Sequence, residues 1–380
     1  MHVELIDRPE RLAEIEGPWL GLLVRSGSHE IFATPAWTLA WHESVGARAG
    51  RSLSAVAVWD DGQLAALFLL QRSRRLGVEV LEFTGHPRHA DRMDVALDPD
   101  RRDKVFRAFA AWLLTRDGWD VLSLRVFGAT SDQPEALAAA LAEAGLQHLV
   151  RPDASTYYID LGPFADVEAY LARFRGGRTR KALRRHARRL AEDHQGTWRV
   201  HRQLDEPLLR HMAELDTQRS LRGAQERAFF GDEANLEFMR SLARRLAGQD
   251  DWRITALWSQ DRLLAYDLSF QHLGCRLSYQ TAFDRSLVAY GVGNLTLIEA
   301  IGGAIADGCQ EFDFLAGDEG YKENWCSDAR RCRWVLAYSG SPRSRLAYGY
   351  QRWLKPLRAR LGQGRLVALI PRRIRDRFDI

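Results

Sequence analysis

The chain has 380 residues, more than a single hydrophobic core usually organises, so two domains are expected. With 46% hydrophobic and 27% charged residues both can be well packed and soluble, and no run approaches the eighteen apolar residues of a membrane span. A formal charge of +4 is too small to imply a nucleic-acid-binding protein, and the four cysteines contain no Cys-x-x-Cys pair, which argues against a disulfide framework or a cysteine zinc site.

The N-terminal stretch has neither a basic region nor an apolar core of the kind that directs secretion, so a cytoplasmic protein is expected. Charge is distributed unevenly. Nine Arg or Lys and no acid lie between Arg173 and Arg189, and eleven basic residues face only Asp376 between Arg343 and Arg377. Either segment reads as a solvated helix face or as a contact for a polyanion or an anionic membrane surface.

In chain order, Thr34 and Pro35 suit the cap and first turn of a helix carrying Trp37, Leu39 and Trp41. A hairpin follows, with strands at 54–59 and 64–70 around an Asp-Gly turn. Next come a strand at 78–83, a polar loop through Asp94, a helix near 102–115 and a strand at 120–126. A helix at 134–144 and two short strands, around His148 and at 156–161, complete this part. Strand, helix, strand suggests a parallel pair in a mixed α/β layer.

After Phe174-Arg-Gly-Gly-Arg178 breaks a helical pattern, Leu183, Ala187 and Leu190 give a helix with one apolar seam and a densely basic back. Helices near 206–219 and 233–246 precede a second hairpin, 252–258 with 263–270. A strand at 276–283, a helix at 295–306 and strands at 312–315 and 333–338 follow. The element order of the first half recurs, which points to a duplicated α/β unit.

The most informative stretch is Tyr290 to Trp325. Tyr290-Gly-Val-Gly-Asn294 opens an apolar helical run, and the strand Phe312 to Leu315 breaks at Gly317 into an acidic, aromatic segment with adjacent Tyr321 and Lys322. Glycines at a helix start bare backbone N–H groups, which is how a phosphate-bearing cofactor is commonly gripped.

The pattern Phe312-Asp-Phe-x-x-Gly-x-x-x-Tyr-Lys-x-x-Trp, behind a Gly-x-Gly helix start, resembles the CelD-like acetyltransferase domains of the Gcn5-related N-acetyltransferase (GNAT) superfamily. In plan it is similar to the FemABX aminoacyltransferases, which carry two such lobes in tandem. Thr34-Pro35-Ala36-Trp37, Thr84-Gly85 with Asp91 and Asp94, Tyr157 to Leu161, the basic helix from Arg178, and Tyr279 with Asp284 fall in matching order over most of the chain.

The resemblance implies an α/β fold of tandem GNAT-like lobes, each a mixed, mostly antiparallel sheet flanked by helices. A degenerate N-terminal lobe is expected at 1–162, an acyltransferase lobe with the basic linker helix at 163–343, and a basic amphipathic tail at 344–380. It implies acyl transfer from acyl-CoA, as a co-substrate and without a metal, to an amine acceptor such as an amino sugar or an envelope or exopolysaccharide precursor, small or lipid-linked. The alternatives are aminoacyl transfer from transfer RNA and a non-catalytic accessory role in polysaccharide synthesis. An anionic membrane surface at the inner face is a further partner under this reading. One departure is in the loop: Leu287 or Val288 stands where the superfamily usually has Gln or Arg.

Acyl transfer to an amine needs a deprotonated nucleophile, a polarised carbonyl and a proton for the leaving thiolate. Asp267, Asp284 and Asp313 sit in or at the ends of expected strands. All three are candidates for the base; a structural ion pair fits Asp313 equally well and suits Asp267 better. Tyr321 is a candidate proton donor or an aromatic plug. Gly291, Gly293 and Asn294 are candidates for holding the pyrophosphate, as is Lys322, which could alternatively pair with Glu319. His86 and His89 have ligand-like spacing but read as part of a polar loop. Cys326 lacks a nearby His, so a covalent nucleophile is not expected.

Overall fold

The computed structural model describes residues 1–27, 30–221, 228–317, 320–326 and 328–356, apart from the side chains of 219–221, and divides into two compact units. One comprises 1–42, 46–154 and the chain from Arg331 onward; the other comprises 43–45 and 155–330.

The first unit begins with β1 (His2–Ile6), α1 (Pro9–Glu14), α2 (Glu16–Ser26) and α3 (Pro35–Trp41). Thr34 caps α3 by accepting from the Trp37 N–H, with Pro35 in the first turn, as the sequence predicts. After β2 (Ser52–Leu53), β3 (Ala55–Asp60) and β4 (Gln63–Phe68) form the hairpin. Asp61 and Gly62 both have positive φ, the geometry that a two-residue turn between twisted strands demands. Strands β1, β3, β4 and β7 (Ala96–Leu97) make one antiparallel sheet.

A second sheet of this unit runs through β5 (Leu70–Arg75), β6 (Val78–Phe83) and, beyond α4 (Arg102–Leu114), β8 (Val121–Phe127). The expected parallel pair is β6 with β8, in register from Val80 and Val121 to Glu82 and Ser123. Where it ends, buried Glu82 accepts from Ser73 at 2.9 Å, Gln71 at 3.1 Å and Arg75 at 2.5 Å, and from Arg51. Three residues on, Val126 takes a left-handed φ of +55°, its N–H held by Asp153 at 2.9 Å. The loop after β6 is not polar in the expected sense. His86 and His89 are buried, and burial pushes the His86 imidazole down to about 3. Among the described residues no cluster is arranged to hold a metal ion.

Beyond α5 (Gln133–Glu143), the two short strands expected at 148 and 156–161 are one continuous strand, β9 (Gln147–Asp160), which carries the chain into the second unit. That unit contains α6 (Val167–Phe174), α7 (Gly177–His194), β10 (Thr197–His201), α8 (Glu206–Leu221), α9 (Glu233–Arg245), β11 (Trp252–Ser259), β12 (Arg262–His272), β13 (Cys275–Phe283), α10 (Val292–Ala306) and β14 (Glu311–Ala316). Its strand order is β10-β11-β12-β13-β14-β9, antiparallel except for β13 with β14. Leu183 and Leu190 of α7, Tyr170 of α6, and Ala300, Ile301 and Ala304 of α10 share one core with Phe312 and Phe314. Most of the arginines of α7 face outward.

The last described elements, β15 (Asp328–Tyr338) and α11 (Pro342–Gly349), return the chain to the first unit, where β15 pairs antiparallel with β8 and Ala347 packs beside Trp334 and Tyr338. Compactness therefore divides the chain after Ala154 and after Arg330. Residues 357–380 of the expected basic tail, and Glu319, lie outside the described residues.

Gly85 has φ +82° and a Cβ there would stand 2.2 Å from the buried Trp37 ring. Gly85→Ala is therefore expected to lower unfolding free energy by about 3 kcal/mol in urea denaturation, combining backbone strain with overpacking.

Candidate functional site

The site begins where two strands part. β13 and β14 pair only from Cys275 with Glu311 to Leu277 with Asp313, and from Ser278 onward β13 leaves its neighbour. On β13's other side its register with β12 slips between Leu268 and Ser269, a bulge that turns the strand. β14 bends as well. Its register on β9 shifts between Asp313 and Ala316, Leu315 adopts φ +60°, and Gly317 follows at φ +145°. A branched apolar residue in the left-handed region is strained, so something must hold it there. The carboxylate of Asp313, 1% exposed, accepts from the Leu315 N–H at 2.7 Å.

Helix α10 starts beside the opening. Asp284 ends β13 by accepting from Ser286 N–H at 2.9 Å and Ser286 Oγ at 2.8 Å and by pairing with Arg262, which fixes the 3-10 turn that leads to Gly291. Gly291 is the residue before the helix, at φ +61°, with its missing Cβ only 2.8 Å from His186 Nδ1 of α7. Gly293 is needed for a different reason: a Cβ there would meet the Phe283 ring at 3.0 Å. The helix begins at Val292, three residues earlier than expected, which puts Gly293 and Asn294 in its first turn. The N–H groups of that turn have no intrahelical acceptor and carry the positive end of the helix dipole.

Between these elements lies a cavity of about 410 Å³. Its walls come from Tyr266 and Asp267 of β12, from Ser278 and Thr281 to Phe283 of β13, from Gly291 to Asn294 with Thr296 and Leu297 around the start of α10, and from Tyr321. Of the residues expected to form a site, the structure brings Gly291, Gly293, Asn294 and Tyr321 together here, with Tyr321 48% exposed. It does not bring the others to the cavity wall. Asp284 caps a turn, and Asp313 holds the bend of β14. Lys322 is buried, with its ammonium donating to the Ala316 carbonyl at 3.3 Å.

One wall residue is a base candidate for which the sequence favours an ion pair, and it has none among the described residues. Asp267 is 1% exposed; Oδ2 accepts from Ser278 Oγ at 2.6 Å, and Oδ1 accepts from Ser269 Oγ. Burial pushes its pKa up, and the two hydroxyls, with Arg276, pull in the other direction. An acid in the middle of the apolar run Leu263 to Phe270, with serines at Ser269 and Ser278, is the sequence signal that could have marked it. Burial raises the Cys326 thiol to about 12, which disfavours the thiolate.

A parallel pair that opens beside a helix N-terminus, within a mostly antiparallel sheet, is a GNAT-like fold. The family described as "Acetyltransferase (GNAT) domain" matches residues 177–323, which include α7, the cavity and Tyr321. Among solved structures the chain is similar to FemX, at 11% identity and TM-score 0.58, covering 88% of this chain and 97% of that one. It is similar to L-PGS from Bacillus licheniformis, at 11% identity and TM-score 0.54, covering 90% and 97%. It also resembles a conserved protein of unknown function from Bacteroides thetaiotaomicron, at 13% identity and TM-score 0.55, covering 89% and 100%. No curated protein matches the sequence.

Removing the Asp313 carboxylate would leave the Leu315 N–H buried without this acceptor. Asp313→Ala is expected to cost about 2 kcal/mol or more in urea denaturation. Asp313→Asn, which keeps an acceptor oxygen, is expected to recover part of the loss.

Proposed function

We propose that the protein is an N-acyltransferase that moves an acyl group from acyl-CoA, with acetyl-CoA the first candidate, to an amine. The observation that carries this reading is the position of the cavity, which lies between the N-terminus of α10 and the part of β13 beyond its pairing with β14. A pyrophosphate fits against the N–H groups of the first turn of α10, around Gly293 and Asn294, while Gly291, whose own N–H donates to the Val288 carbonyl at 2.9 Å, supplies the left-handed backbone that starts the helix. The thioester then extends along β13, whose backbone beyond Leu277 is released from β14 and can donate to a carbonyl oxygen as it gains charge. Tyr321, at the cavity wall and half exposed, is placed to give the departing thiolate its proton. In this reading Asp313 and Lys322 act at one remove, by holding the bend and break of β14.

The acceptor we favour is an amino sugar or another envelope or exopolysaccharide precursor, free or lipid-linked. Acyl-CoA as donor places the reaction in the cytoplasm, and a lipid-linked acceptor would bring it to the inner face of the membrane. A second reading, aminoacyl transfer from transfer RNA, is favoured by one feature: the exposed arginines and lysine of α7, Arg178, Lys181, Arg184, Arg185, Arg188 and Arg189. Binding that weakens steeply with added salt would support that donor.

The test is a titration of the protein with acetyl-CoA, longer acyl-CoAs and free CoA, followed by melting temperature, alongside Gly293→Trp. A ligand at a hundred times its dissociation constant stabilises by about 2.7 kcal/mol. We expect the wild type to gain stability with at least one thioester and the folded variant to gain none. No shift with any thioester would sink the acyl-CoA reading.

A further inference from the structure

The cavity contains a group that the proposed reaction has not yet used. Among the described residues Asp267 is the one carboxylate on its wall, and the rest of that wall is largely apolar or glycine backbone. Taking a carboxylate out of water is costly unless a cation or several donors compensate. Here compensation is partial: two serine hydroxyls bond to it, one from β12 itself and one from Ser278, the first residue of β13 beyond its pairing with β14.

The charged group whose field reaches Asp267 is Arg276, but that guanidinium is occupied, donating to Gln271 at 2.7 Å and to Asp307 at 2.8 Å. Tyr266 and Tyr321 are the other titratable wall residues, and the stretch of α10 at the wall, Val292 to Leu297, has no charged side chain. Helix α8, which packs against β12 and β13, brings buried Asp216, whose carboxylate accepts from the Phe230 N–H at 3.0 Å. Asp267 therefore lines the cavity, bonded to Ser278 at the point where β13 leaves β14, with no cation paired to it among the described residues.

We propose that Asp267 is the acceptor-binding and proton-accepting residue of this site, and that the acceptor is a primary amine entering as its ammonium ion. The inference rests on the acyl-transfer reading for its chemistry, but not for the cation site itself. The ammonium supplies the missing positive charge and is drawn to the fork, where the thioester carbonyl would lie. Asp267 takes one proton from it, leaving a neutral amine. The nitrogen lone pair attacks the carbonyl carbon, the C–N bond forms and the C–S bond breaks. Tyr321 protonates the leaving sulfur and is re-protonated by the second proton lost from nitrogen. Asp267 finally releases the first proton to solvent, so one amide, one thiol and one proton result. Burial, which raises the carboxyl above its ordinary range, makes it a better base than a surface aspartate. An alcohol of the same size brings no charge and is disfavoured as an acceptor.

The probe is n-butylammonium chloride, with n-butanol as its uncharged counterpart, measured by calorimetric binding and melting temperature on wild type and Asp267→Asn. We expect the wild type to bind the ammonium and not the alcohol, and the variant to lose affinity about thirtyfold or more, as when one member of a buried charge pair is removed. Its stabilisation by acetyl-CoA should be retained. A wild type that ignores butylammonium, or binds the alcohol equally well, or a folded variant that still binds the ammonium normally, would overturn the proposal. Ammonium binding that depends on Asp267 while no thioester binds would leave the cation site standing and remove the acyl-CoA reading.

Ser278→Ala keeps the carboxylate and guards against a variant that fails to fold. Losing a hydroxyl that favours the ionised form raises the pKa of Asp267, so the acidic limb of butylammonium binding should move to higher pH. The ammonium itself stays charged across that range, as a lysine does. An unmoved limb would also overturn the proposal.

Discussion

Everything at the candidate site depends on two neighbouring parallel strands ceasing to pair. A β ladder left to itself continues, because every unpaired N–H and C=O that loses water without gaining a partner costs free energy. The protein stops the ladder between β13 and β14 by bending both strands. A bulge turns β13, and a left-handed Leu315, held by Asp313, turns β14. The gap leaves one edge of β13 unpaired by β14, and α10 begins beside it. The cavity lies against that unpaired stretch and the start of the helix.

The same device occurs in the first unit, with a different outcome. There β6 and β8 also part after three paired positions, and Val126 is left-handed as Leu315 is, two residues before a glycine in each case. This repeat of geometry, more than of residues, supports a tandem plan. Yet the first fork is filled: Glu82, with Gln71, Ser73, Arg51 and Arg75, forms a closed polar network at the point of separation. Gly85 packs against Trp37 just beyond it. In the first unit side chains of the protein bond to one another where the strands separate, whereas in the second a cavity lies beside the separation.

How much of this could be read from the sequence followed from how local each feature is. The hairpins, the cap at Thr34, the break before Gly177 and the glycine start of α10 depend on neighbours a few residues away, and all were legible. The bend in β14 was hidden, because nothing about Leu315 as a residue type suggests a positive φ; the requirement comes from β9 and Asp313. The separation of Asp267 from Asp313 was hidden too. Both alternate with apolar neighbours in buried strands, and only the folded sheet shows that one faces the cavity while the other accepts a backbone N–H. The return of β15 to the first unit reverses chain order, which no local pattern encodes.

Helix α7 and the turn before α10 are joined more tightly than packing of a surface helix requires. The Tyr290 hydroxyl donates to Asp193 at 2.9 Å, its ring lies 4.9 Å from the Arg189 guanidinium and 4.8 Å from the His194 ring, and His186 fills the space beside Gly291. The outward face of α7 carries the densest positive charge in the described chain, and its inward face touches the turn that opens the cavity. The helix is thus mechanically geared to the turn. A displacement of α7 would therefore displace the turn that begins α10, and a load on that turn would be felt by α7 in return.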